Sequence, residues 1–144
     1  MQSTLSHTGG MAFQVEADGH RFPMDAAAEH GGTDLGPRPK TLLLASLAGC
    51  TAMDVAAMLA KMRQTWTRLE VRAEGELTEE HPRVFQDFTI TFEIDGDVDP
   101  GRLARAVALS RDRYCGVSAM LRAHAPVKVR VLLNGVEQPE PPPG

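Results

Sequence analysis

Cysteine is almost missing from this chain. Cys50 and Cys115 are the only two in 144 residues, and 64 residues separate them. Two thiols are too few for a disulfide-rich secreted scaffold or for a zinc centre made of thiolates alone. Positive charge is in deficit as well. Fifteen Lys and Arg stand against 19 Asp and Glu, a net charge of -4, where a nucleic-acid binder ordinarily carries a basic surplus. No nucleic-acid partner is expected. The five histidines, His7, His20, His30, His81 and His124, form no His-x-His or His-Glu-x-x-His spacing, so no metal is expected. Gly31, Gly32 and Gly36 occur without a following Gly-Lys-Ser/Thr element, and no Gly-x-Ser-x-Gly elbow exists, which leaves neither a phosphate loop nor a serine nucleophile to argue from. The first ten residues hold no basic cluster and no apolar run. The sequence therefore carries no secretory signal, and a cytoplasmic location with reduced thiols is expected.

What is present is ordinary globular usage, 42% hydrophobic and 24% charged, in a length that predicts one domain over 1–138. The Pro-rich end, 139–144, reads as a disordered tail. Phe13, Val15 and Ala17 alternate in a strand over 11–18, Asp18-Gly19 makes a hairpin turn, and a short return strand over 21–25 contains Pro23. Residues 29–39 are a Gly- and Pro-rich loop. Strands with one wet face are expected over 67–77 and 84–94, joined as an antiparallel pair through 79–83. A turn cluster at 95–101 precedes an amphipathic helix over 102–114, a short helix over 117–125 and a closing strand over 127–133.

Residues 41–60 are different in kind. They hold a single charge, Asp54, among Ala, Leu and Met, and these residue types favour a helix. Charges at Lys40, Asp54 and Lys61, with Ser46, Gly49 and Thr51 between them, argue against a bilayer span. Apolar residues on nearly every side argue equally against a surface helix. A helix of this length is about 30 Å long, and a chain of this size struggles to sheathe it on all sides. The expectation is a homodimer in which central helices cover one another.

Cys50 lies within that helix and Cys115 just beyond the amphipathic one, before Gly116. Each is open to two readings, a buried inert thiol or half of a reactive pair, and a pair requires Cα atoms within about 7 Å. Asp54 stands one helical turn from Cys50. A carboxylate there opposes thiolate formation unless a cation neutralises it, for which Arg21, Arg38 and Arg63 qualify by residue type only.

The stretch Gly36 to Gln64 (GPRPKTLLLASLAGCTAMDVAAMLAKMRQ) together with Ser110 to Leu121 (SRDRYCGVSAML) resembles the superfamily of osmotically inducible protein C and organic hydroperoxide resistance proteins, and within it the OsmC-like redox proteins. The resemblance runs from about Met11 to Leu133. It implies an α+β fold of two intertwined chains, with long buried central helices wrapped by mostly antiparallel sheets and active sites at the subunit interface. It also implies that Cys50 attacks an organic hydroperoxide and becomes a sulfenic acid, and that Cys115 condenses with it to an intrachain disulfide, which an external dithiol reduces. Such chemistry uses neither a metal nor a bound cofactor. Hydroperoxide reductases of the superfamily carry a glutamate ten residues before the first cysteine, where this chain has Lys40, and no arginine here matches that glutamate's partner. A redox sensor or small-molecule binder using the same pocket without turnover is the second reading, and a dimer with inert thiols the third.

Overall fold

The computed structural model describes residues 1–144 and shows two compact units, Met1–Leu43 and Leu44–Gly144. In the first, β1 (Ser3–Gly9), β2 (Ala12–Ala17) and β3 (His20–Met24) form an antiparallel sheet in sequence order. The β2–β3 turn has positive φ at both Asp18 and Gly19, 49° and 81°, the geometry that matches the twist of a tight hairpin. Strand β1 was not expected. All seven of its residues are exposed, so it shows no apolar alternation and is held by its backbone ladder to β2. After β3, the carboxylate of buried Asp25 organises the loop. It accepts from the amides of Ala26, Thr33 and Leu35 and from the Thr33 hydroxyl, at 2.7–3.2 Å. These donors, the Thr33 amide first, hold its pKa down at about 2.

The second unit is built on a sheet ordered β4 (Thr65–Glu74), β5 (Phe88–Asp97), β6 (Val127–Leu133) and β7 (Val136–Glu137). Strand β5 is central, so its apolar residues are covered: Phe88, Ile90, Phe92 and Ile94 alternate into the core. It pairs antiparallel with β4 and parallel with β6, with Phe92 opposite Val71 and Val131. The parallel pair needs a crossover, which the helices α2 (Pro100–Leu109) and α3 (Gly116–Arg122) supply. The same core holds Leu103, Ala106 and Val107 of α2 and Leu47, Val55 and Leu59 of the long helix α1 (Pro39–Lys61). Each large apolar side chain buried there stabilises the unit by roughly 1.5–3 kcal/mol.

Several expectations change. The strand expected over 84–94 starts at Phe88, because 75–87 is an irregular connection with one isolated bridge, Leu77 to Phe85. Strand β5 then runs on into the expected turn cluster. Gly96, at φ 135°, lies so close to the bulged partner strand that a Cβ would come within 2.7 Å of Trp66 Cα. The helix expected over 102–114 stops being α-helical after Leu109. Residues 139–144 have no regular structure, yet the Gly144 amide donates to Asp112 Oδ2 at 2.8 Å and Arg111 donates to the carbonyls of Pro141 and Pro142.

The largest difference concerns α1. All-round burial is not reached within this chain: only Leu47, Thr51, Val55 and Leu59, one stripe at a spacing of four, are buried, and Met53 is 73% exposed. By length and apolarity alone α1 could also cross a membrane; its buried stripe belongs to the core of the second unit.

Candidate active site

Helix α1 places Cys50 and Asp54 one turn apart, on a stretch anchored by the buried stripe on either side. Thr51, between them in sequence, is buried and returns its hydroxyl to the Leu47 carbonyl at 2.9 Å, so it makes no demand on the cluster. The other cysteine arrives from the crossover. Asp99 caps α2, its side chain accepting from the Arg102 amide at 2.8 Å, and Pro100 occupies the first helical position. At Ser110–Tyr114 the helix widens into a π-helical turn, closed by a hydrogen bond from the Cys115 amide to the Ser110 carbonyl at 3.0 Å. Cys115 leaves that turn extended, at φ -74° and ψ 103°, and becomes the N-cap of α3, where the Ser118 amide donates to its Sγ at 3.3 Å.

These elements bring together what the sequence keeps apart. Cys50 Sγ, Cys115 Sγ and a carboxylate oxygen of Asp54 all lie within 4.8 Å of one another, and both cysteines are free thiols. Asp54 Oδ2 accepts the hydroxyl of buried Ser110 at 3.0 Å, which ties α1 to the start of the wide turn. Cys50 is half-buried, whereas Cys115 is 2% exposed. Burial pushes the Cys115 thiol up to about 11, aided by its hydrogen bond with Cys50 and by the nearby Asp54 charge; the Ser118 amide pulls the other way. Cys115 therefore stays protonated near neutral pH. Three donors converge where a closed structural zinc site has four.

The structure thus unites Cys50, Cys115 and Asp54. Of the three arginines considered by type, Arg21 is bound to Glu16 at 2.7 Å and Arg38 to Asp34 at 3.2 Å. Arg63 lines the same cavity as Asp54 without forming an ion pair. It is Ser110, which the sequence places in the expected helix over 102–114 and at the start of the resembling stretch without giving it a role at the site, that meets the Asp54 carboxylate. No local signal marks the wide turn that puts it there.

Residues 31–130 match the family described as OsmC-like protein. The chain belongs to the OsmC-like family. Protein YhfA of Escherichia coli K12 is 37% identical over 123 residues, which cover 84% of this chain and 89% of YhfA. The fold is shared with a hypothetical protein from Aquifex aeolicus VF5, at 25% identity, a TM-score of 0.81 and coverage of 92% and 94%. It is shared too with an organic hydroperoxide resistance protein from Elizabethkingia anophelis crystallised with thiocyanate, at 20% identity, a TM-score of 0.70 and coverage of 92% and 94%. The latter likeness is one of fold. The α+β architecture and the two converging cysteines are what an OsmC-like chain was expected to have.

Proposed function

We propose that this chain is a thiol-dependent organic hydroperoxide reductase acting in oxidative-stress defence, with Cys50 as the attacking and Cys115 as the resolving sulfur. The observation that carries this reading is the convergence of two free thiols, one half-buried and one buried and protonated, within 4.8 Å. The Cys50 thiolate attacks the outer peroxide oxygen. The O–O bond breaks, the alcohol leaves after taking a proton, and Cys50 becomes a sulfenic acid. The Cys115 sulfur then attacks the sulfenic sulfur, expelling water and forming the Cys50–Cys115 disulfide. An external dithiol restores both thiols by two exchange steps and is itself oxidised to a disulfide. The hydroperoxide is reduced by two electrons and the dithiol supplies them, so no metal or bound cofactor enters. Such a reductant is found where thiols are kept reduced, as in the cytoplasm. The name of the Elizabethkingia protein and the family membership agree with this reading.

One equivalent of an organic hydroperoxide added to reduced protein is expected to consume both thiols and yield an intrachain disulfide, read by thiol titration and by mass of a Cys50–Cys115 cross-linked peptide. Recovery of both thiols unchanged while peroxide remains would defeat the proposal. Oxidation that no dithiol can reverse would support the sensor reading instead.

Residues 1–138 act in this reading as one working domain of a homodimer. Ala48, Gly49, Ala52, Met53 and Ala56 of α1 form, with Leu69 and Val71, a shallow apolar surface that this chain leaves open. A second copy would cover it. Met53→Glu is expected to shift the protein from dimer to monomer in sedimentation equilibrium, since a carboxylate buried without a partner costs several kcal/mol. A wild-type protein that sediments as a monomer would remove this part of the reading.

A further inference from the structure

Two thiols and a carboxylate that converge have the make-up of a metal centre as well as of a redox pair. Histidine spacing could not disclose it, because the donors are Cys50, Asp54 and Cys115, and 64 residues separate the two cysteines. Zinc binds thiolate sulfur at about 2.3 Å and carboxylate oxygen at about 2.0 Å, so donors on a tetrahedral ion stand about 3.5–3.8 Å apart. The three donor atoms already lie within 4.8 Å of one another, and an ion would draw them together by no more than about 1.3 Å. Helix α1 holds two of them one turn apart, on a segment fixed by its buried stripe.

The groups behind the donors suit ligation. Buried Ser110 donates its hydroxyl to Asp54 Oδ2 at 3.0 Å, which orients the carboxylate and leaves it lone pairs for an ion. The Ser118 amide donates to Cys115 Sγ at 3.3 Å, a bond that favours the thiolate over the thiol. Hydrogen bonds of this kind aim metal ligands and tune their affinity. Charge points the same way: Asp54 joins no ion pair, so three groups that ionise to anions meet without a cation among them. Two thiolates and one carboxylate against a dication leave a single negative charge, beside a cavity wall that carries Lys61, Arg63, Arg102 and Arg105. Asp54 also lines that cavity, which gives an ion a way in and room for a fourth ligand.

We propose that the reduced protein binds one divalent cation of the zinc class through Cys50, Cys115 and Asp54, with solvent in the fourth position. As each metal–sulfur bond forms, the thiol releases its proton to solvent, and no electrons are transferred. Sulfur donors select zinc over Mg²⁺ and Ca²⁺, which take oxygen ligands in larger number. Three protein ligands with one open position differ from a closed structural site, and the ion remains exchangeable. Ligation occupies both sulfurs, so a bound ion masks the dithiol from oxidation and disulfide formation excludes the ion. The site is thus a metal-operated control on the pair, and it does not rest on the peroxidase reading.

The test uses the full reduced chain, stripped of metal by a chelator and desalted. Titrated with Zn²⁺ against a chromophoric zinc indicator near neutral pH, it is expected to bind one equivalent with a Kd below about 1 μM. Zn²⁺, and not Mg²⁺, is expected to slow alkylation of Cys50 by iodoacetamide at least about tenfold. Co²⁺ in place of Zn²⁺ is expected to give thiolate-to-cobalt charge-transfer absorption and the visible bands of a tetrahedral ion. Cys50→Ser/Cys115→Ser abolishes that absorption, and Asp54→Asn and Ser110→Ala each weaken zinc binding about tenfold or more, with circular dichroism to verify folding. No zinc binding by the wild type, no protection of Cys50, or a Co²⁺ spectrum without the thiolate band overturns the proposal. So does zinc binding that survives the double cysteine substitution, which would place the ion on other side chains, or affinity unchanged in Asp54→Asn. None of these measurements uses a peroxide, so their failure leaves the peroxidase reading standing, and a protein inactive toward hydroperoxides is tested for the metal site in the same way.

Discussion

Cys50→Ser is expected to lower hydroperoxide consumption by at least about a thousandfold. A serine hydroxyl is not ionised near neutral pH and is a far weaker nucleophile than a thiolate. The substitution changes one atom in a half-buried position, so the helix stripe formed by Leu47, Thr51, Val55 and Leu59 is untouched and the fold should persist. Nor can the other cysteine stand in. Cys115 is sealed from solvent and its thiol is held up at about 11, so near neutral pH it offers peroxide almost no thiolate. Peroxide disappearance under excess dithiol is the measurement, with circular dichroism to verify folding. Consumption at the wild-type rate would end the assignment of Cys50.

Cys115→Ser is expected to separate the two halves of the cycle. The first equivalent of hydroperoxide should still be reduced at close to the wild-type rate, because the attacking sulfur is intact. The product then differs: with no second thiol within 4.8 Å, the sulfenic acid persists instead of condensing. It should be trapped by dimedone in this variant and hardly at all in the wild type. Dithiol-supported turnover is expected to drop by about a hundredfold, since the reductant then meets a sulfenic acid and not the disulfide that exchange normally opens. The sign of the Cys115 shift fits this division. Burial favours the neutral thiol, so its thiolate gains population only as pH rises toward about 11. At lower pH Cys115 keeps its proton. Absence of a dimedone adduct together with undiminished turnover would show that Cys115 does not resolve.

Much of this arrangement can be read from the residues, for definite reasons. Period-two alternation located β2, β4 and the core strand β5, and the spacing of four put Cys50 and Asp54 on one face of α1. The lack of polar residues around α1 pointed to more apolar surface than one chain can bury, and Met53 at 73% exposure is that surplus made visible. Other features left no trace. Strand β1 buries nothing and so carries no pattern. The extension of β5 through Asp95 and Gly96 looks like a turn in composition and is a strand because Gly96 backs onto Trp66. The approach of Cys115 to Cys50 depends on a sheet crossover and a widened turn, both set by tertiary contacts. For that step only the family resemblance offered an expectation, since neither periodicity nor spacing encodes it.

The widened turn at Ser110–Tyr114 has a mechanical meaning beyond position. A π-helical turn holds one residue more than an α-helical path over the same span, and each residue in a helix rotates the next by about 100°. Deleting a single residue there would relax the segment into a better helix and swing the sulfur of Cys115 through roughly a quarter of a circle, away from its counterpart. The protein thus keeps a small amount of slack in its backbone ahead of Cys115, next to a helix whose own inward face, Leu103, Ala106 and Val107, is locked in the core. Closing two sulfurs from a few ångströms to a bond of about 2 Å requires one of them to travel. If the pair cycles as proposed, the spare residue is where that travel is expected to be absorbed, without the core having to repack.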